Sequence, residues 1–433
     1  MLSQEENELL CRVGPDAPMG QMLRRYWIPA CLSRELPEAD GTPIRVRLLG
    51  ENLVAFRDSD GRVGFMDELC PHRGASLVLA RNERSALQCL YHGWRIALDG
   101  TILETPCEPE ESDFKDRIRH IAYPTREQGG MLWVYLGPPG TEPDFPEFGW
   151  TVVPEEQRVL VKMVGDCNWA QSLEGVIDSS HSSFLHSSEI VGAAAQSRPD
   201  GTSAYQATDA GLIVKRPTND RAPRLEPQDT DYGFRYAAIR KPIQEPDKYQ
   251  YIRVTLFVAP FYGFIAPPAG WGLVEFFVPI DDEHTAMYHV EWREDAPVDH
   301  DRQYDRSGAV VGRDIDVHFR KFANQANNWL QDRAAMKAGS FSGIRGVQVQ
   351  DQAVLESMGA VYDRTREHLG TSDVAIIRWR RLMLDSVRRF QEGGVPVGLE
   401  RTVPFTKLKG EERIIPLETP WQVVGAFAGE ASK

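Results

Sequence analysis

The chain has 433 residues, with 49 Lys+Arg against 63 Asp+Glu and a formal net charge of −14. That length exceeds one ordinary hydrophobic core, so two domains, or one large domain with an insertion, are expected. The composition, 42% hydrophobic and 26% charged, is that of a globular chain. The acidic balance argues against nucleic acid as a partner, and no apolar run approaches the roughly 20 residues that cross a bilayer.

The first segment, MLSQEENELLCR, is acidic and has no basic stretch leading into an apolar one. No secretory signal is expected, and a reducing, cytoplasmic setting follows from that. Cys11, Cys31, Cys70, Cys89, Cys107 and Cys167 are therefore expected as thiols rather than disulfides. Residues 1–26 are read as a segment that packs with the later part of the chain. Apolar and polar side chains then alternate through IRVRLLG, LVAF and VGFMD, and the texture continues in LQCLYHGWRIALDG and MLWVYLG. This predicts a small all-β unit over 27–137. PPGTEPDFPEFG, starting at Pro138, reads as a linker over 138–148. WAQSLEGVIDSSHSSFLH (169–186) has helical spacing. Strand-like runs follow at YGFRYAAIR, YIRVTLFVA, GLVEFFVPI and TAMYHVEW. VLESMGAVYDRTREHL and AIIRWRRLMLDSVRRFQEG predict a long closing helical stretch. An α+β unit over 149–433 thus follows a β unit, with no repeats.

Cys70-Pro71-His72 is followed, after sixteen intervening residues, by Cys89-Leu90-Tyr91-His92. Two thiolates for one iron and two imidazoles for the other are what a Rieske [2Fe–2S] centre needs. The short spacing lets one tight loop deliver both kinds of ligand. Structural zinc accepts the same four residue types. The flanking residues in CPHRGA and CLYHGW, including Gly74, Gly93 and Trp94, resemble the two cluster-binding loops of Rieske proteins. Further on, Asp178, His181 and His186 form D-x-x-H-x-x-x-x-H. Residues three apart share a helix face, but His186 lies five beyond His181, so the helix must turn for both to converge. Two histidines and a carboxylate make the facial triad of non-haem iron enzymes. Taken alone, such a pattern is also that of a polar helix surface.

In combination, the two motifs resemble the large subunit of Rieske aromatic-ring-hydroxylating oxygenases. LLCRV, PDAPMG, LRRYWIPA and YGFRYAAIR bring the resemblance nearest to the phthalate dioxygenase-like subgroup. The resemblance implies an N-terminal Rieske domain and a helix-grip catalytic domain, in which an antiparallel sheet curls around a long helix. It implies that Cys70, His72, Cys89 and His92 hold the cluster, and that His181 and His186 hold a mononuclear Fe(II). Asp178 would be the non-ligand bridge between His181 and His92 of a neighbouring subunit. Asp351, in VQDQAVLES, fits the third iron ligand, with Glu356 and Asp363 nearby. The family is built as homotrimers or dimers of trimers, and a separate NAD(P)H-dependent reductase supplies its electrons. Consistently, no G-x-G-x-x-G turn follows a strand here. The implied reaction uses O2 to cis-dihydroxylate an aromatic carboxylate (phthalate-, chlorobenzoate- or phenoxybenzoate-like). A monooxygenase or O-demethylase with the same two sites is the alternative within the class. A Rieske electron carrier, or a helix-grip ligand carrier with structural zinc, is the alternative outside it. A buried substrate carboxylate needs cations. Strand alternation groups Tyr232, Phe234, Tyr236, Ala238 and Arg240 on one face and Tyr251, Arg253, Thr255 and Phe257 on another, so Arg240 and Arg253 are the candidate clamp. Arg198 and Arg216 are further candidates.

Overall fold

The computed structural model describes residues 1–193, 214–267 and 270–425; Arg198 lies outside them. The chain divides into two compact units, one of Val13–Pro146 and one of Met1–Arg12 with Glu147–Lys433. The segment expected over 1–26 is therefore split, with 1–12 belonging to the later unit and 13–26 to the earlier. All six cysteines are free thiols. Among the described residues no helix is long and apolar enough to cross a membrane.

The earlier unit is built from three small antiparallel sheets. Trp27–Leu32 pairs with Met131–Tyr135, which pairs with Thr125–Gln128. Ile44–Leu48, Glu51–Arg57, Val63–Asp67 and Ala122–Tyr123 form the second sheet. Arg81–Glu83, Ala86–Gln88, Arg95–Ala97 and Ile102–Glu104 form the third. Val54, Phe56, Met66, Leu77, Leu87, Trp94 and Ile96 share one core with Cys70 and Cys89. The two loops carrying those cysteines are thus rooted in buried apolar residues at both ends.

The later unit centres on an eight-stranded antiparallel sheet. Its strands are β1 (Arg158–Gly165), β2 (Arg224–Thr230), β3 (Gly233–Arg240), β4 (Tyr249–Val258), β5 (Tyr262–Phe264), β6 (Trp271–Pro279), β7 (Thr285–Arg293) and β8 (Glu411–Pro416). They run in the order β1-β7-β6-β5-β4-β3-β2, with β8 also paired to β4. Among the described residues, the α-helices of eight or more residues that accompany the sheet are α1 (Gln4–Cys11), α2 (Trp169–Val176), α3 (His300–Ser307), α4 (Val347–Ser357) and α5 (Val374–Gln391). The 18-residue α5 is the long helix of the helix-grip arrangement. Its Trp379, fully buried, meets Trp169 of α2 edge-on at 5.7 Å and Phe257 of β4 at 6.4 Å. β3 is buried along its whole length and β4 along nearly all of it, as expected of strands covered on both faces. The two sequence-predicted faces lie side by side: Phe234 pairs with Phe257, Tyr236 with Thr255, Ala238 with Arg253 and Arg240 with Tyr251.

Two helical expectations are corrected. The closing stretch is two helices, because α4 ends at Ser357 and Gly359 then takes a left-handed φ of +96° that helix geometry does not allow. Likewise 169–186 is not one helix. α2 stops at Val176, and the Asp178 carboxylate accepts from the Ser180 N–H at 2.7 Å and the His181 N–H at 3.4 Å. That local side-chain bonding draws the backbone out of the helix.

Candidate active site

The first constellation lies in the earlier unit. Its two loops repeat one pattern of hydrogen bonds. Cys70 N–H donates to Ala75 O (2.8 Å) and Gly74 N–H to Cys70 O (2.9 Å). Cys89 N–H donates to Trp94 O (2.9 Å) and Gly93 N–H to Cys89 O (3.0 Å). Gly74 and Gly93 close their loops at left-handed φ values of +71° and +74°, a conformation glycine adopts without steric cost. The His72 and His92 rings approach to 4.4 Å, and His72 stacks on Trp94 at 4.7 Å. The Cys70 and Cys89 thiols are within hydrogen-bonding reach, and the backbone N–H groups of His72 and Arg73 point at the Cys70 sulfur. Burial pushes the Cys70 thiol up to about 11, so its ionisation calls for a nearby cation, which bound cluster irons would supply. His92 Nδ1 is buried without a hydrogen-bond partner among the described residues. Two thiols, two imidazoles and an orphaned ring nitrogen fit a [2Fe–2S] cluster.

The second constellation lies in the later unit. The turn after α2 brings the His181 and His186 rings to 5.2 Å, and α4 brings Asp351 between them. His186 Nε2 is 3.0 Å and His181 Nε2 is 3.5 Å from Asp351 Oδ1. The donor atoms of the three residues all lie within 4.8 Å of one another, a spacing that could hold a metal ion. Burial opposes ionisation of Asp351, yet the two histidines hold its carboxyl below its usual range. Burial likewise opposes charge on His186, and Asp351 and Gln350 outweigh it. Asp178 sits on the far side of His181, its Oδ2 3.6 Å from Nδ1. Glu356 is engaged elsewhere: it accepts from Lys321 Nζ (2.6 Å), the Asp166 N–H (3.0 Å) and Trp329 Nε1 (2.6 Å). Asp363 is exposed and caps Thr365.

Sequence reasoning missed Gln350. His186 Nδ1 donates to Gln350 Oε1 at 2.7 Å, which leaves Nε2 facing Asp351. Gln350 in turn donates to Glu189 Oε1 and Ile344 O, both at 2.9 Å. A ligand histidine needs such a partner on its other nitrogen, but nothing in VQVQDQ says which residue supplies it. A buried group around His289 was missed as well. Here a signal existed, because Glu275, His289 and Glu291 interrupt otherwise apolar strand patterns.

A cavity of about 120 Å³ opens beside the triad, comparable with cavities that admit a benzene ring. His181, His186, Asp351 and Asp178 line it together with Arg216, Arg253, Phe277 and Met287. Arg253 Nη2 donates to Ala266 O (2.6 Å) and its Nε faces Glu412 at 3.4 Å. Arg216 Nη1 donates to Ser182 Oγ (2.9 Å), while its Nε finds no partner among the described residues. Arg240 does not line this cavity. It lies behind the wall, donating to Ser179 O (2.8 Å), and shares a neighbouring recess with Arg216. Burial, then Arg216 and Arg253, bring Arg240 down to about 10.

One chain thus carries a sulfur-containing iron site on β loops and a nitrogen-and-oxygen site in a helix-grip cavity. That pairing defines a two-centre iron oxygenase. Residues 26–122 match the Rieske [2Fe-2S] domain, and residues 134–433 match the family described as LigXa C-terminal domain like. The chain is 45% identical, over 98% of its length and 94% of the relative's, to the phthalate 4,5-dioxygenase oxygenase subunit of Pseudomonas putida. It is 36% identical, over 98% of its length and 97% of the relative's, to the 3-chlorobenzoate-3,4-dioxygenase oxygenase subunit of Comamonas testosteroni. The solved structure of a Pseudomonas putida CBB5 NdmA QL mutant with caffeine has the same fold, with a TM-score of 0.59 at 19% identity, over 87% of this chain and 94% of that one. The chain belongs to the Rieske non-haem iron oxygenases, as an oxygenase (alpha) subunit of the phthalate dioxygenase-like kind. Its cofactors are a [2Fe–2S] cluster and a mononuclear iron.

Proposed function

We propose that this chain is the oxygenase component of a multicomponent ring-hydroxylating dioxygenase that cis-dihydroxylates an aromatic carboxylate. The observation that carries this reading is the cavity wall, where Arg216 and Arg253 face the same space as His181, His186 and Asp351. Buried cations of one sign favour an anionic ligand, and the planar guanidinium fork suits a carboxylate. In this reading Cys70, His72, Cys89 and His92 hold the cluster, and His181, His186 and Asp351 hold the iron. Bound there, a ferrous ion with open coordination positions supplies the O2 activation. Arg216 and Arg253 bind the carboxylate and set the ring's pose, with Arg240 supporting the wall from behind. Phe277, Met287 and Leu355 keep the space apolar, and Gln350 holds the proton on His186 Nδ1. Asp178 orients His181 from its other side, and its partly exposed carboxylate is the bridge toward the cluster of a neighbouring subunit. The working form is a cytoplasmic homotrimer or dimer of trimers, served by a separate NAD(P)H-dependent reductase.

The test is product formation with an aromatic carboxylate and with its neutral amide analogue, in wild type and in Arg216→Gln and Arg253→Gln. Either variant should raise KM for the carboxylate by about 10–100-fold, from loss of a charge-assisted hydrogen bond, and change KM for the amide far less. A cis-dihydrodiol product supports dioxygenation; a demethylated or singly hydroxylated product replaces it with the monooxygenase reading. Unchanged KM for the carboxylate in both variants would remove the arginine clamp.

A further inference from the structure

The cavity has a second polar wall, away from Arg216 and Arg253. On β6, Leu273, Glu275 and Phe277 face inward, and on β7 Met287, His289 and Glu291 do the same. Glu275 and His289 are direct cross-strand partners. Across β5 the same row continues through Gly263 to Phe257. Arg253 lies four residues along β4 from Phe257, roughly 13 Å at the usual strand rise. The two polar walls therefore sit at different ends of one space.

Donors and acceptors in this wall do not balance. His289 is buried, with Nδ1 2.8 Å from Glu275 Oε1 and Nε2 3.0 Å from Glu291 Oε1. Both ring nitrogens thus donate to carboxylates, and these bonds lift His289 to about 9 despite the opposing effect of burial. Arg306 Nη1 (3.3 Å) and Gln303 Nε2 also donate to Glu291. Gln348, on α4 one turn before Asp351, brings its side-chain amide to 3.0 Å from His289 Nδ1 and 3.3 Å from Glu275 Oε1. One acceptor facing the cavity is left over. Glu275 Oε2 takes no hydrogen bond among the described residues and belongs to a side chain that retains 13% exposure. The arginine wall shows the opposite surplus, with Arg216 Nε as an unmatched donor among the described residues.

A ligand that suits both walls carries carboxylate at one end and hydrogen-bond donors at the other. We propose that Glu275 is a ligand-recognising residue that accepts a hydrogen bond from hydroxyl groups on the ring, and that His289 and Gln348 position it. The ligand class is a carboxylated ring bearing adjacent hydroxyls, which is the chemistry of this reaction's product. The inference rests on the functional reading above, which supplies the carboxylate. It adds that the cavity distinguishes the ring after hydroxylation from the ring before it. It also gives the polar group on β6 and β7 a purpose, because unmatched buried acceptors are costly unless something donates to them.

Calorimetric binding to the anaerobic holoenzyme, without reductase, tests this with no turnover. The probes are phthalate and its ring-dihydroxylated form. Wild type should bind the dihydroxylated form about 10-fold tighter, the value of one hydrogen bond to a charged acceptor. Glu275→Gln and Gln348→Met should reduce that preference to about 2-fold or less while leaving phthalate affinity near the wild-type value, with unchanged cluster absorption reporting an intact fold. Phthalate binding with no preference in wild type overturns this inference alone, as does a preference that survives in both variants. Failure of wild type to bind either probe overturns this inference and the functional reading together.

Discussion

Replacing Gln350 with methionine removes one hydrogen-bond partner from His186 without touching any proposed iron ligand. Gln350 is fully buried, and three hydrogen bonds end with it: from His186 Nδ1 at 2.7 Å, to Glu189 Oε1 at 2.9 Å and to Ile344 O at 2.9 Å. Methionine matches its length and replaces none of them. Glu189 is partly exposed and can turn to water. The His186 Nδ1 proton cannot, since the ring is only 3% exposed. Leaving that donor unmatched costs about 1–3 kcal/mol. The same loss frees the ring to rotate, and altered partners of ligand histidines typically weaken metal affinity about 10–100-fold. Gln350→Glu keeps the acceptor for His186 but sets a second carboxylate against Glu189. It should recover most of the iron affinity while remaining less stable than wild type. The assay is anaerobic Fe(II) competition against a chelator, with cluster absorption as the internal control. Iron affinity in Gln350→Met within about twofold of wild type would refute the claim that Gln350 orients His186.

Three further outcomes are expected. Glu356→Ala leaves Lys321 buried without its carboxylate and should cost about 3–5 kcal/mol of stability, measured by urea unfolding, while the folded fraction keeps its mononuclear iron; loss of that iron would restore Glu356 as a ligand. His289 has a folded pKa of about 9, above its unfolded value of about 6.5. Its contribution is therefore complete below about pH 6.5 and is lost as pH rises through about 9, by at most about 1.4 kcal/mol per pH unit. Glu291 is shifted down, against the effect of burial, by His289, so its contribution is lost in the acid direction. Urea midpoints should thus fall between pH 7 and 9 in wild type and be flatter in His289→Gln, and equal slopes would contradict the pairing. Asp178→Asn should keep both iron centres loaded yet slow turnover by about 10–100-fold or more; loss of the mononuclear iron would make Asp178 a ligand instead.

Much of this was legible in the sequence because the chemistry is local. Each Cys-x-His or Cys-x-x-His pair sits on one tight loop, so spacing alone states what the loop delivers. Strand alternation placed Arg253 and Thr255 on one face correctly, since a period of two survives any packing. The cavity arginines were harder to choose. Arg240 ends its strand and Arg253 sits in the middle of its own, both in similar alternating patterns, and only the register of β3 on β4 and the bond to Ser179 put Arg253 at the cavity and Arg240 behind it. Gln350 and His289 act through partners 164 and 14 residues away, contacts that no local pattern encodes. The end of α2 was hidden for a different reason. Apolar spacing continues through 186, and the Asp178 side chain overrides it by bonding to the backbone.

The central claim is that one chain holds a [2Fe–2S] cluster and a separate mononuclear iron. Iron, zinc and acid-labile sulfide analysis of purified wild type and His181→Ala measures it directly. Wild type should contain about three irons and two sulfides per chain, and His181→Ala about two irons and two sulfides with unchanged cluster absorption. Zinc in place of iron and sulfide, or a wild type that holds two irons even after anaerobic loading with Fe(II), would contradict the account.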